Sequence, residues 1–266
     1  MPTPIRTVVV TGASAGIGAE LARQLAAAGH RLVLAARRAD ALDAVAAECR
    51  AGGAAGAHAV AVDVTHRTDV DQLAAQAVRA FGGFDTWINN AGRGITRPVL
   101  ALTDADVDEM VAVNVKSALY GMQAACAHFL AAGPAHARGH VINVSSFLAR
   151  VPYVSARSAY SAAKAAVNSL SLALAAELRG VGAAGVHVSV VMPAMVRTDF
   201  GRNALGGAPN TPTGMLPGLP ADAPPPQSAT EVAGAIAALL DDPRPVLYTN
   251  PASPGFARRY DAEYGL

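Results

Sequence analysis

Lysine is almost missing from this chain: Lys116 and Lys164 are the only two in 266 residues. Aromatic residues make up 5% and charged residues 15%, and the 21 basic groups are nearly cancelled by 20 acidic ones. That balance offers no basic excess for a nucleic-acid surface or an anionic membrane, so neither partner is expected. Cysteine occurs twice, at Cys49 and Cys126, far apart inside helical patterns. Neither a disulfide framework nor a metal-ligand spacing can be built from two such residues, so no metal is expected and a reducing compartment is the simpler reading. No run approaches the roughly 18 continuous apolar residues of a membrane span. The opening "MPTPIR" passes into a β-like run without an apolar leader, and the expected location is cytoplasmic.

What the chain does have is apolar residues, 52% of the total, at a length that fits one domain over 1–266. They fall into two alternating patterns. Short β-branched runs at 7–12, 31–37, 57–64, 84–92, 139–146, 185–193 and 245–250 read as seven strands. Between them, three- and four-residue apolar spacing predicts helices at about 17–29, 39–52, 67–82, 104–132, 156–180 and 229–241. Strands apolar nearly throughout and separated by helices belong in a parallel sheet covered on both faces. The expected fold is an α/β, Rossmann-type, doubly wound seven-stranded parallel sheet. The stretch from about 200 to 228 breaks the rhythm with Pro, Gly and Ala, and is either a substrate lid or a passive insertion.

In "VVVTGASAGIGAE", Gly12, Gly16 and Gly18 leave a strand and enter a helix, which turns backbone N–H groups and a helix N-terminus toward the crevice. An anion cradle follows, although tight strand-to-helix turns need glycine for their own sake. The next strand ends Ala35-Ala36-Arg37-Arg38, with no carboxylate at its tip. An acidic residue there would hold a ribose 2′-hydroxyl, whereas arginine accommodates a 2′-phosphate, so NADP(H) is expected over NAD(H). Asp40 falls at the start of the following helix, an ordinary place for an acid.

"RSAYSAAKAAV" sets Tyr160 and Lys164 four residues apart, on one face of a helix. A phenol with an ordinary pKa of about 10 needs a nearby cation to work as an acid–base group at neutral pH, and Lys164 could supply one. Taken alone, a pair of this kind reads better as part of a plain amphipathic helix.

The pair has company. "TGASAGIG" (11–18), "DV" (63–64), "NNAG" (89–92), "NV" (114–115), "NVSS" (143–146) and "YSAAK" (160–164) stand in one order. Together, over about residues 5–249, they resemble the short-chain dehydrogenase/reductase family. The resemblance implies that Tyr160 exchanges a proton with the substrate oxygen while Ser146 hydrogen-bonds that oxygen. It implies that Lys164 lowers the tyrosine pKa and binds the nicotinamide ribose, and that Asn114 holds a water linking Lys164 to solvent. Gly12, Ser14, Gly16, Ile17 and Gly18 would form the phosphate turn, and Arg37 with Arg38 would take the 2′-phosphate. Asp63 and Val64 would flank the adenine, Asn90, Ala91 and Gly92 the ribose side, and Pro193, Val196 and Thr198 the nicotinamide carboxamide. For Asp63, capping of the next helix is an equal reading. The chain departs from the family pattern twice: Ser146 lies one residue further from Tyr160 than usual, and Pro193-Ala194 replaces the usual Pro-Gly.

Phe147, Leu148, Tyr153, Met195, Phe200, Leu205, Met215, Leu216 and Leu219 are expected near the mouth, which suggests a largely apolar ketone or aldehyde. Arg150, Arg157, Arg197 and Arg202 read as solvated groups there, with anion binding the lesser alternative. Small apolar residues in 117–132 and 162–178 exceed what one covered face needs, and family members pair these helices, so a homodimer or homotetramer is expected. The tail 253–266 either closes a neighbour's site or frays. Two readings compete for the whole: an NADP(H)-dependent carbonyl reductase or alcohol dehydrogenase, and a non-catalytic NADP(H)-sensing protein of the same fold. An epimerase or dehydratase working through a transient hydride step is a third, for which the chain is short.

Overall fold

The computed structural model describes residues 4–207 and 220–265. Its chain order is β1 (Thr7–Thr11), α1 (Gly16–Ala27), β2 (Arg31–Ala36), α2 (Ala39–Ala51), β3 (Gly56–Ala61), α3 (Arg67–Phe81) and β4 (Thr86–Asn89). There follow α4 (Asp104–Met110), a π-helical turn (Val111–Lys116), α5 (Ser117–Phe129), β5 (Gly139–Val144), α6 (Ser158–Gly180) and β6 (Val186–Met192). The chain ends with β7 (Val196–Arg197), β8 (Gln227–Ser228), α7 (Ala229–Ala238), β9 (Val246–Tyr248) and α8 (Ser253–Tyr264).

Seven of these strands form one sheet in the order β3-β2-β1-β4-β5-β6-β9, every neighbour pair parallel. This is the doubly wound Rossmann-type α/β sheet that the alternating pattern predicts. The order reverses between β1 and β4, and the crevice at that switch point, beyond the strands' carboxyl ends, is where this architecture binds ligands. The five inner strands are largely buried because helices cover both faces, whereas the edge strands β3 and β9 stay partly exposed. Leu21, Leu25, Leu42, Val45, Val232 and Ile236 of α1, α2 and α7 pack against one face. Leu73, Met122, Phe129, Val167 and Leu178 of α3, α5 and α6 pack against the other.

Three features differ from the sequence reading. The helix expected over 104–132 is three pieces, because one wide turn interrupts it. β7 and β8 form a separate parallel pair too short for any periodic signal. The tail after residue 252 forms α8, whose Phe256 and Ala257 pack on Phe147 and Val151.

Candidate active site

The β1–α1 turn is shaped by glycine. Gly12 and Gly16 have φ of +67° and +56°, which side chains rarely adopt. At Gly18 a Cβ would press on the Gly12 carbonyl oxygen and lie 2.5 Å from Nδ2 of Asn90. No side chain caps the start of α1, and no acid lies in its first turn. The positive end of the helix is left for an anion from outside the chain, which fits a dinucleotide pyrophosphate. Thr198 closes over this turn, with its methyl carbon 3.5 Å from where a Gly16 Cβ would stand. Ser14 receives a hydrogen bond from Arg38 (3.4 Å), and Arg37 and Arg38 are both exposed at the tip of β2.

The Asn90 side chain clasps the glycine turn. Its amide donates to the carbonyls of Thr11 (3.0 Å) and Gly12 (3.2 Å). Thr11 Oγ1 accepts the backbone N–H groups of Asn90 and Ala91, both at 3.1 Å, and so ties β1 to the end of β4. Asp63 does not cap α3. It accepts the N–H and hydroxyl of Thr65 and turns the chain there. Burial works to raise its pKa, but the Thr65 hydrogen bonds and the charges of Arg37 and His66 hold it below the usual carboxylate value. The Val64 side chain is buried in the core, so only its backbone is available to an adenine.

The catalytic candidates converge on the end of β5 and the first turns of α6. Ser145 and Ser146 part company here: Ser145 Oγ donates to the Lys164 carbonyl (3.1 Å), whereas Ser146 Oγ accepts the Leu148 N–H (3.2 Å) and its hydroxyl acts on the Tyr160 side chain. Lys164 is buried, donates from Nζ to the Val144 carbonyl (2.9 Å), and stands 5.9 Å from the centre of the Tyr160 ring. Burial lowers its pKa to about 8. Burial raises the Tyr160 phenol, and the Ser146 hydrogen bond and the Arg157 charge act against that rise. Asn114 lies on the π-helical turn, its amide donating to the carbonyls of Arg93 (3.0 Å) and Met110 (3.2 Å). Gly92 brings Asn114 and Lys164 together: a Cβ there would be 2.9 Å from Asn114 Oδ1 and 3.3 Å from Lys164 Nζ.

A model of the short chain dehydrogenase family matches residues 6–206. The chain belongs to that family of oxidoreductases. An uncharacterized oxidoreductase of Staphylococcus aureus (strain N315) is 37% identical over 196 residues, covering 73% of this chain and 79% of that protein. A Burkholderia phymatum short chain dehydrogenase/reductase, solved with NAD, superposes with a TM-score of 0.84 at 26% identity over 100% of this chain and 96% of its own. A Sphingobium yanoikuyae short-chain dehydrogenase solved with NADPH gives 0.76 at 28% identity, covering 98% and 93%.

In this short-chain dehydrogenase the expected mouth residues divide. The Phe200 ring lies 5.6 Å from that of Tyr160, and Leu148 and Leu205 pack with Ile95 and Met110 beside it. Phe147 is instead fully buried and Tyr153 half-buried, the first edge-on and the second tilted against Phe256, so they support the site from behind and do not line its mouth. Met215, Leu216 and Leu219, with the rest of residues 208–219 of the expected lid, lie outside the described residues. Ala194 costs the loop nothing, since no described non-glycine residue has a positive φ.

The arginines also divide. Arg150 pairs with Asp261, Arg202 with Asp199 (2.9 Å), and Arg197 donates to the Pro226 carbonyl (2.9 Å). Arg157 is not the solvated group expected; it is 5% exposed. Thr11 and Arg93 are the parts that sequence reasoning missed, and Arg157 is the one it read wrongly. Thr11 opens the glycine motif and could have been found there. Arg93 and Arg157 carry no local pattern.

Proposed function

We propose that this protein is an NADP(H)-dependent oxidoreductase that moves a hydride between nicotinamide and a carbonyl or secondary-alcohol carbon, most naturally reducing a largely apolar ketone or aldehyde. The observation that carries the reading is a buried phenol, Tyr160, acted on by the Ser146 hydroxyl and followed one helical turn later by a buried ammonium. When bound, the cofactor supplies or accepts the hydride. Gly12, Ser14, Gly16, Ile17 and Gly18 would hold its pyrophosphate at the α1 N-terminus, with Arg37 and Arg38 at the 2′-phosphate. Thr11 and Asn90 keep that turn in shape.

Ser146 positions the carbonyl oxygen, and Tyr160 gives it a proton during reduction or removes one during oxidation. Lys164 stays mostly protonated at neutral pH, because its pKa of about 8 lies above it, and can return a proton toward the phenol. Asn114, fixed by the Arg93 and Met110 carbonyls, marks the route from Lys164 outward past Gly92. Phe200, Leu205 and Leu148 give the mouth its apolar character, and the segment 200–228 serves as the lid of a single catalytic domain. The groove lined by Leu119, Met122, Leu170, Leu174 and Leu178 on α5 and α6 supports pairing of two copies.

The test is consumption of NADPH and NADH against aldehydes, aliphatic and aryl ketones and β-ketoesters, with Tyr160→Phe as control. Turnover that prefers NADPH and vanishes in the control is expected. Tight NADPH binding with no turnover anywhere would select the cofactor-sensing reading instead.

A further inference from the structure

Among the described residues, Arg157 is a cation without a counter-ion. It is buried, and the one charge-bearing group acting on it among the described residues is Tyr160. Of its five N–H donors, Nη1 reaches the Ile95 carbonyl at 3.1 Å. The chain makes room for it: a Cβ on Gly94 would lie 2.8 Å from Nη1 and 2.9 Å from the Phe200 ring, and one on Gly201 would lie 3.7 Å from Nη2. Burying a lone cation is unfavourable unless something of opposite sign offsets it, and a neutral side chain would fill this space more cheaply.

An offset arises when the Tyr160 phenol ionises, because Arg157 caps the start of α6 just ahead of it. Tyr160 follows Arg157 by three residues and precedes Lys164 by four, so a cation stands one turn to either side of the phenol. Charged groups on the surrounding segments are already neutralised. Arg93 pairs with Glu109, Arg97 with Asp106, Arg150 with Asp261 and Arg202 with Asp199, while Met110 and Asn114 on the facing helix carry no charge. The two flanking cations also differ. Burial brings the Lys164 ammonium to about 8, so its charge fades in mild alkali, whereas a guanidinium lowered from its usual value remains protonated there.

We propose that Arg157 is a positioning residue for the reaction: a permanent second cation that stabilises the Tyr160 phenolate from the turn opposite Lys164. The proposal deepens the function above and rests on Tyr160 being its acid–base group.

Ultraviolet titration of phenolate in the wild type against Tyr160→Phe isolates the Tyr160 signal, and the same subtraction is made with Arg157→Gln in both. Tyr160 is expected to titrate roughly one pH unit higher without the guanidinium. Phe200→Leu disturbs the same packing with no change of charge and should leave the titration nearly in place. An unmoved titration in Arg157→Gln overturns the proposal, and so does an equal shift in Phe200→Leu, which would make packing the cause. Arg157→Met replaces the glutamine variant if that does not fold; failure of both to fold assigns the residue to folding and also overturns it. Full turnover in Tyr160→Phe would instead remove the acid–base role while leaving the titration shift standing, so the two failures are distinguishable.

Discussion

On the β1–α1 side of the crevice the chain presents glycines and an uncapped helix start, while on the β5–α6 side it presents a phenol, an ammonium and a guanidinium, all buried. The first side is made of what is missing: no Cβ at Gly18, no cap on α1, no acid at the tip of β2. The second is made of charge held where water is scarce, so each charge acts more strongly on its neighbours than it would in solvent. A site of the first kind fails when atoms are added, and one of the second kind fails when a proton or a charge is taken away.

The sharpest break between them is expected from Tyr160→Phe. Removing one oxygen should cut turnover by about 10²–10⁴-fold, the range for a positioned acid–base group, and leave NADPH affinity unchanged. Steady-state rates and a fluorescence titration check it; a matching loss of affinity would mean that the two sides are not separable. Gly18→Ala is the converse. With Asn90 Nδ2 only 2.5 Å from the new carbon, it should weaken cofactor binding at least tenfold and cost about 1–3 kcal/mol of stability, read from binding isotherms and denaturant melts.

Arg37→Ala refines the cofactor side. Losing a charge-assisted contact to a 2′-phosphate should weaken NADPH by roughly tenfold while NADH hardly changes; equal losses would place the guanidinium elsewhere.

The smallest effect lies away from the crevice and guards against misreading pH profiles. His140 is buried in β5, and burial first, then the charges of His187 and Arg6, lower its pKa from 6.5 to about 3. The unfolded chain therefore binds a proton that the folded chain refuses between those values, so stability is full above pH 6.5 and falls as pH drops toward 3. His140→Gln should flatten that slope in melts across the window. An unchanged slope would move the acid sensitivity to another group.

The same contrast explains what could be read from the amino-acid sequence. All seven sheet strands announce themselves, the inner ones most plainly, because a strand covered on both faces is apolar in its middle, as Val8, Val9 and Val10 of β1 are. Gly12, Gly16 and Gly18 are legible too, since a left-handed or crowded backbone admits little else. Arg157 is not: its pattern is that of a surface arginine beginning a helix, and only the fold reveals Gly94, Gly201 and Phe200 closing around it. Phe147 misleads for the opposite reason, being next to Ser146 in sequence yet turned into the aromatic cluster under α8. That helix did carry signals, Pro254 in its first turn and Gly265 at its left-handed end. They are faint beside an apolar stripe reduced to Phe256 and Ala257.

The π-helical turn at Val111–Lys116 has a consequence for how the gene can vary. A wide turn is one residue more than a helix needs, and it sets α4 and α5 about 100° out of phase with each other. Deleting a single codon there would let the two segments join in one continuous register. That would rotate the Asn114 amide away from Arg93 or swing the Thr103–Asp106 cap off its seat. Insertions and deletions are thus tolerable around the sheet's loops, while this short span inside a helix is fixed in length.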